Sequence, residues 1–303
     1  MPTTTKREGL TVVITGTSSG IGKGTAEQLA RQGANVVLAA RRAGLIEDMA
    51  ETLGPNVLAV ATDVSNEEDV ARLFDAAIEA FGKIDVWINN AGVGTYGSFT
   101  ETPLEDLVRT VEINLLGTVY GTHYALRHFK ERKSGTLINI ASFASQTALP
   151  FGAVYTGTKM AVSGLTKGLY QEMNVDDFDG IHISKVDPWV TDTPWTAHAG
   201  NYSGHEILVG PADDPQKVID VIIGLIDKPQ EQVEIGTKVK GTAAIGNLLP
   251  GTTDKATGKA LYKMLKEAPP APVTSGSLHD PRPEGVTVEG NLRERLARKK
   301  AKD

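Results

Sequence analysis

A serine, a tyrosine and a lysine stand near one another in the middle of the chain: Ser142, Tyr155 thirteen positions later, and Lys159. If the segment Tyr155-Thr156-Gly157-Thr158-Lys159 is helical, the tyrosine and lysine lie one turn apart on the same face. A free phenol has a pKa of about 10 and exchanges its proton poorly near neutrality. An ammonium one turn away favours the phenolate and lowers that pKa, as an oxidised nicotinamide ring would. Tyr155 can then give a proton to a carbonyl oxygen as hydride arrives, or take one from an alcohol in the reverse direction. Ser142, which follows Ile140-Ala141, would hold the same oxygen by a hydrogen bond. Singly these residues are ordinary, since Tyr–Lys pairs four apart are common and a serine after a strand often caps a helix. Their significance depends on a source of hydride.

Such a source is implied near the N-terminus. Thr15-Gly16-Thr17-Ser18-Ser19-Gly20-Ile21-Gly22 lies between an apolar run and an amphipathic segment. At a first strand–helix junction, Gly16 lets the chain turn, while Gly20 and Gly22 allow close approach to a pyrophosphate and tight helix–strand packing. Ser18, Ser19 and Ile21 complete the loop, and the helix N-terminus offers N–H groups to phosphates. An NAD site usually carries an acid about 20 residues further on, for the ribose 2′-hydroxyl. Here the second strand ends in Leu38-Ala39-Ala40-Arg41-Arg42, with no acid and two guanidiniums that could pair a 2′-phosphate. This favours NADP(H), with Arg41 as the first choice of partner and Arg42 as the second. Asp63 and Val64 follow the third strand, where Asp63 could bond the adenine edge or simply lead into a helix. Asn89-Asn90-Ala91-Gly92 follows the fourth strand and suits a backbone that a ribose must pass, although a plain turn has the same composition.

These groups need a scaffold that brings strand ends together. Candidate strands are Thr11–Thr15, Asn35–Ala39, Val57–Ala61, Ile84–Ile88, Thr136–Ile140, Ile181–Val186 and Gln232–Ile235. Most are unbroken apolar runs, as expected for parallel strands covered on both faces. The segments between them read as helices. Ser65-Asn66-Glu67-Glu68 is a capping box for a helix reaching about Phe81, and Thr102-Pro103-Leu104-Glu105 is another with proline in the first helical position. Strand–helix alternation predicts an α/β, doubly wound parallel sheet with right-handed crossovers. The pattern weakens after Gly236. The expected organisation is therefore a catalytic domain over residues 1–240 and an extension over 241–303, an appendage to a single domain. The extension has a short amphipathic helix at Thr252–Lys266, a Pro/Gly-rich stretch at Glu267–Gly290 and a basic end at Asn291–Asp303.

Matches to the glycine motif at Thr15–Gly22, to Asn89–Gly92, to Ser142 and to Tyr155/Lys159 make the sequence resemble the classical short-chain dehydrogenase/reductase family over roughly residues 10 to 236. The resemblance implies a Rossmann-type sheet of seven parallel strands and hydride transfer from the nicotinamide. It makes Asn114, in Ile113-Asn114-Leu115, a fourth catalytic residue that organises a water relaying protons through the lysine. It also implies dimers or tetramers, built on helices around Leu104–Lys130 and Gly152–Met173. Thr193 matches the family threonine near the nicotinamide carboxamide. The chain departs from the family at Asp187-Pro188-Trp189-Val190, where proline-glycine is usual. Trp189 either shapes the pocket or turns outward, and Pro188 and Val190 are expected beside the cofactor.

The segments expected around the nicotinamide are Val93–Tyr96, Phe143–Phe151 and Trp189–Tyr202. They are apolar and aromatic, include Trp195, offer His198 as a polar contact and contain no Arg or Lys. A carboxylate or coenzyme A substrate would normally be met by a basic group. A neutral, fairly apolar ketone, aldehyde or secondary alcohol fits better. The absence of cysteine excludes disulfides and thiolate chemistry. His123 and His128 are wrongly spaced for a metal, so no metal is expected. A net charge of −6 gives no pull toward nucleic acid. With no export signal or spanning segment, a cytoplasmic protein is the expectation. Two other classes remain open at this stage: a cofactor-binding regulator of the same fold without turnover, and an interaction role for the basic end.

Overall fold

A computed structural model describes residues 6–236, 258, 259, 262, 263 and 265–300. The first strand, β1 (Thr11–Thr15), is buried at every position. Its residues divide between two faces: Val12 and Ile14 join one core, and Val13 joins the other. β2 (Asn35–Ala40) does the same with Val36 and Leu38 opposed to Val37 and Ala39. This two-sided burial is why the strands are continuously apolar rather than alternating.

Seven parallel strands form the sheet in the order β3-β2-β1-β4-β6-β7-β9. The others are β3 (Val57–Ala61), β4 (Val86–Asn89), β6 (Gly135–Ile140), β7 (Ile181–Pro188) and β9 (Gln232–Ile235). The order reverses between β1 and β4, which opens a crevice at the carboxyl ends of those strands. α1 (Gly20–Arg31), α2 (Ala43–Leu53) and α8 (Pro215–Asp227) cover one face, with Leu29, Ile46 and Ile219 fully or almost fully buried. α3 (Glu67–Phe81), α5 (Gly117–Arg132) and α6 (Ala153–Val175) cover the other around Leu73, Trp87 and Phe129. The doubly wound, single-domain Rossmann-type fold is therefore as expected, with strand ends displaced by at most two residues.

Two helix starts differ from expectation. Asn66, not Ser65, caps α3 by accepting from the Glu68 and Asp69 N–H groups, while Ser65 donates to Asp63 instead. α4 (Leu104–Val111) begins one residue after Pro103, which occupies the cap position, and Thr102 donates to the Ser98 carbonyl. A second small sheet, unforeseen, pairs β5 (Thr95–Tyr96) with β8 (Gly200–Asn201). Two residues per strand are too few to leave a periodic signal in sequence.

Most of the amphipathic helix expected at Thr252–Lys266, and Lys302 of the basic end, lie outside the described residues. The rest of the extension is not a free tail. Leu278 is fully buried against Val64, Val93 and Ile113, and α9 (Leu292–Lys300) sets Leu292 and Leu296 against Leu208. Arg293 pairs with Asp192 and Asp214, and Arg295 with Glu206. Two of the basic side chains are thus engaged on the chain's own domain, while Arg298 pairs with Glu294 within the helix. No described helix is long and apolar enough to cross a membrane. Among the described residues no cluster could hold a metal ion, and His128 instead accepts from the Ile84 N–H.

Candidate active site

Ile140 ends β6, and Ser142 follows in extended backbone, its hydroxyl accepting from the Ala144 N–H at 3.1 Å. The short turn it caps, Phe143–Ser145, returns the chain toward α6. Tyr155 is the third residue of α6 and Lys159 lies one turn on. Ser142, Tyr155 and Lys159 are each 5–7% exposed and line a single cavity. The helix is pinned at its start by Thr156, whose hydroxyl accepts from the Leu149 N–H. The Lys159 ammonium donates to the Ile140 carbonyl at 2.9 Å, joining the helix to the end of β6.

The electrostatics of the pair correct one expectation. Burial pushes the Tyr155 phenol up to about 12, against a hydrogen bond from Ser142 that pulls it down. Burial pushes Lys159 down to about 8, against the raising influence of Asp187. In the protein alone, then, desolvation prevails and the phenol stands above its ordinary value rather than below it. A depressed Tyr155 pKa has to come from a positive charge brought into the cavity. Asp187, fully buried beneath the site, is held by Lys185 at 3.0 Å and by Ser145 at 2.8 Å.

Asn114 sits in a π-helical turn, Glu112–Leu116, between α4 and α5. The wider turn is a common local device at functional sites. It aims the fully buried amide at Val93, accepting from its N–H at 2.8 Å and donating to its carbonyl at 2.9 Å. The same amide donates to Thr158 on α6. A Cβ built on Gly92 would lie 3.4 Å from both Asn114 Oδ1 and Lys159 Nζ, so glycine there keeps the asparagine and lysine side open. Asn114→Ala should leave the Val93 N–H and carbonyl unpaired. It should cost at least about 2 kcal/mol, seen as a lower midpoint in urea melts.

The glycine loop is built as its spacing suggests, with Gly16 at φ +75° and Gly20 at φ +58°. A Cβ on Gly16 would stand 2.9 Å from Ala91 Cα, and one on Gly22 would collide with the Gly16 carbonyl and Asn90. Asn90 donates to the Thr15 carbonyl at 2.8 Å and so ties the two loops together. Asn89 is the last residue of β4 rather than part of the loop, and its buried amide donates to Asn139 at 2.8 Å. The cavity, about 310 Å³, is lined at this end by Gly16, Ser18, Ser19, Gly20 and Ile21, with Arg41, Arg42, Asp63 and Val64 beside them. It continues past Asn90, Ala91 and Gly92 to the serine, tyrosine and lysine, and along Pro188, Val190 and Thr193. Asp63 accepts from Ser65 and from Arg109, so its carboxylate is already engaged on the protein. Those bonds hold it below the usual carboxylate range despite burial.

The opposite end is apolar. Trp195 donates to the Gly92 carbonyl at 3.1 Å, and its ring meets Tyr155 at 5.1 Å and Tyr96 edge-on at 6.1 Å. Trp189 does both things expected of it as alternatives. Its ring packs on Phe143 at 4.6 Å along the cavity wall, while its N–H turns out to the Pro211 carbonyl. Val93 and Phe151 complete the expected lining, and Phe151 stands at φ +64°, a strained position for an aromatic residue. Ile207, Leu208, Val209 and Leu265 also line the wall and were not foreseen, because each lies in a loop or helix remote from the motifs. His198 lines the cavity as well, its ring 3.1 Å from the Glu284 carbonyl in the extension.

Comparison with known proteins agrees with this geometry. The family model described as short chain dehydrogenase matches residues 10–202. An uncharacterised oxidoreductase of Bacillus subtilis, YxnA, is 33% identical over 279 residues, covering 89% of this chain and 77% of the relative. A crystal structure of a 3-ketoacyl-(acyl-carrier-protein) reductase from Brucella melitensis complexed with NADH has a TM-score of 0.67 at 30% identity, covering 75% of this chain and 97% of that one. An alcohol dehydrogenase from the archaeon Thermococcus sibiricus, complexed with 5-hydroxy-NADP, has a TM-score of 0.65 at 27% identity, covering 75% and 95%. The fold, the glycine loop and the matched segment together place this chain in the short-chain dehydrogenase/reductase family of oxidoreductases.

Proposed function

We propose that the protein is an NADP(H)-dependent carbonyl reductase or alcohol dehydrogenase acting on a neutral, fairly apolar ketone, aldehyde or secondary alcohol. The observation that carries this reading is one continuous cavity, with the glycine loop, Arg41 and Arg42 at one end and Ser142, Tyr155 and Lys159 under aromatic walls at the other. Its residues suit a dinucleotide: a loop that admits no side chain at Gly16 and Gly22, and guanidiniums where an NAD site would carry an acid. When bound, the cofactor supplies or accepts the hydride at the apolar end. The solved relatives bind NADH in one case and 5-hydroxy-NADP in the other, and the choice of NADP(H) here rests on Arg41 and Arg42.

In this reading Ser142 positions the substrate oxygen, and Tyr155 donates a proton to it during reduction. A phenol at about 12 is fully protonated at neutral pH, which suits the donor role. Lys159 and Asn114 stand behind it to restore the proton. Trp195 and Tyr96 keep water from the reacting oxygen. We also infer a homo-oligomer formed through α4, α5 and α6, which leave Leu104 74%, Val108 47% and Met160 40% exposed in the single chain.

The test is NADPH oxidation across a panel of ketones and aldehydes, with chiral analysis of the products and the reverse reaction followed against pH. Turnover of neutral carbonyls is expected. Reduction should keep its rate through the neutral range, and alcohol oxidation should climb as the medium becomes alkaline. Tight NADPH binding without turnover on any member of the panel would instead mark a cofactor-binding regulator.

A further inference from the structure

The Pro/Gly-rich stretch of the extension crosses the cofactor groove. The Arg41 guanidinium donates to the Leu278 and His279 carbonyls at 3.0 and 2.9 Å, and to that of Ser277. Arg42 donates to the Glu284 carbonyl at 3.0 Å and to that of Arg282 at 3.3 Å. Further along, Lys23 donates to the Val286 carbonyl and the Gly20 N–H to that of Thr287, both at 2.9 Å. The strap is fixed at both ends, by buried Leu278 and by the Gly290 N–H on the Asp192 carbonyl. It does not fill the groove. With the strap in place the cavity persists, and Ser277, Pro281 and Arg282 form part of its wall beside Arg41 and Arg42.

Two features of that wall point to a ligand. The first is charge. Arg109, Arg293 and Arg295 each sit on a carboxylate. Arg41, Arg42 and Arg282 have only carbonyl or hydroxyl oxygens as hydrogen-bond acceptors among the described residues, Arg282 donating to Thr274. A carbonyl satisfies an N–H without neutralising the charge; Asp63 and Asp280 act on Arg41 only through space, with no carboxylate hydrogen-bonded to it. Burial and these three guanidiniums together push His198 below its usual range, which is the signature of their shared field. The second feature is an orphaned group: Ser277, 5% exposed and on the cavity wall, keeps a buried hydroxyl with no hydrogen-bond partner among the described residues. Thr25 and Ser184 also carry such hydroxyls, but only Ser277 borders the cavity, where a group arriving from outside can meet it.

We propose that the strap is part of the dinucleotide site. Arg282 acts as a third guanidinium and Ser277 as a hydroxyl partner for the 2′-phosphate, so residues 277–282 help to choose the phosphorylated cofactor. The proposal rests on the NADP(H) reading above and extends it to residues beyond the segment matched by the family model, which ends at 202. A dianionic phosphate compensates the three charges, whereas a ribose hydroxyl leaves them facing one another.

The experiment titrates NADPH and NADH separately into the full-length wild type and into Arg282→Ala, Arg282→Lys, Ser277→Ala and Arg41→Ala, following protein and cofactor fluorescence. Arg282→Ala should weaken NADPH at least about tenfold and leave NADH within about threefold. Arg282→Lys should recover part of the loss, and Ser277→Ala should weaken NADPH by a smaller factor. The unchanged NADH affinity of each variant certifies its fold. A wild type that binds both cofactors equally would overturn the NADP(H) reading and this proposal with it. A wild type that prefers NADPH, loses that preference in Arg41→Ala but keeps it in Arg282→Ala, would overturn the strap's role alone. Equal loss of both cofactors in Arg282→Ala, or tighter NADPH binding, would do the same, since each marks a merely structural or a competing strap.

Discussion

Tyr155→Phe should lower kcat by about 10²–10⁴-fold, the range that a positioned proton donor contributes, while NADPH affinity stays within a few-fold. The phenyl ring keeps the contact with Trp195 at 5.1 Å and the burial that the phenol has. Only the hydroxyl is lost, and with it the proton for the substrate oxygen. Ser142 remains to hold that oxygen but its hydroxyl is a far weaker acid in this setting. The phenol is neutral in the folded and the unfolded chain alike at pH 7, so the variant should lose no more stability than its hydrogen bond with Ser142 contributes, about 1 kcal/mol. Stopped-flow measurement of the chemical step beside a cofactor titration separates the two effects. Near-normal turnover in the variant would show that another group donates the proton.

Lys159→Met should inactivate the enzyme and at the same time stabilise its fold at neutral pH. The amine has an ordinary pKa of 10.5 and stands at about 8 in the folded chain, 5% exposed, with burial as the main cause. Between those two values the unfolded chain holds a proton that the folded chain has released. Stability contributed by this group therefore rises as pH increases from about 8 to about 10.5, and below pH 8 the folded state carries the whole cost of the buried charge. That cost is about 3 kcal/mol, from which the unpaired Ile140 carbonyl left by methionine subtracts about 1–3 kcal/mol. The gap between variant and wild type should be largest near pH 7 and shift in favour of the wild type through the alkaline window. Urea melts at pH 7, 9 and 10.5 read it directly. A gap that does not move with pH would mean that the amine keeps ordinary basicity in the fold.

The readability of the chain follows the range of the interactions involved. The central strands were legible because they are apolar on two faces, as Val12–Ile14 and Val36–Ala39 are, while the edge strand β9 alternates as Gln-Val-Glu-Ile. Gly16, Gly20 and Gly22 were legible because a turn and a close approach leave glycine no substitute. Tyr155 and Lys159 carry their own spacing. The proton affinities were not legible, since the sign at Tyr155 depends on how completely Trp195 and α6 bury it. Asn114 was named only through the family resemblance; the π-helical turn that gives it two backbone partners has no compositional mark. Arg41 and Arg42 were found, but their carbonyl partners come from a segment without periodicity more than 230 positions away. Ser65 and Thr102 were misassigned as caps because a neighbouring asparagine, or a carbonyl one turn back, competes for the same short-range bonds.

The contact between Lys23 and Val286 spans 263 positions of sequence. During synthesis the first strand and its glycine loop leave the ribosome long before the residues that wall them in, and domains fold in that direction. A nascent chain that has reached residue 288 already holds every strand of the sheet, yet α9 and its anchor on Asp192 are still to come. Completion of the cavity wall is thus a late, long-range closure. A chain cut before Ser277 would lack these contacts altogether and leave Arg41 without its carbonyl partners.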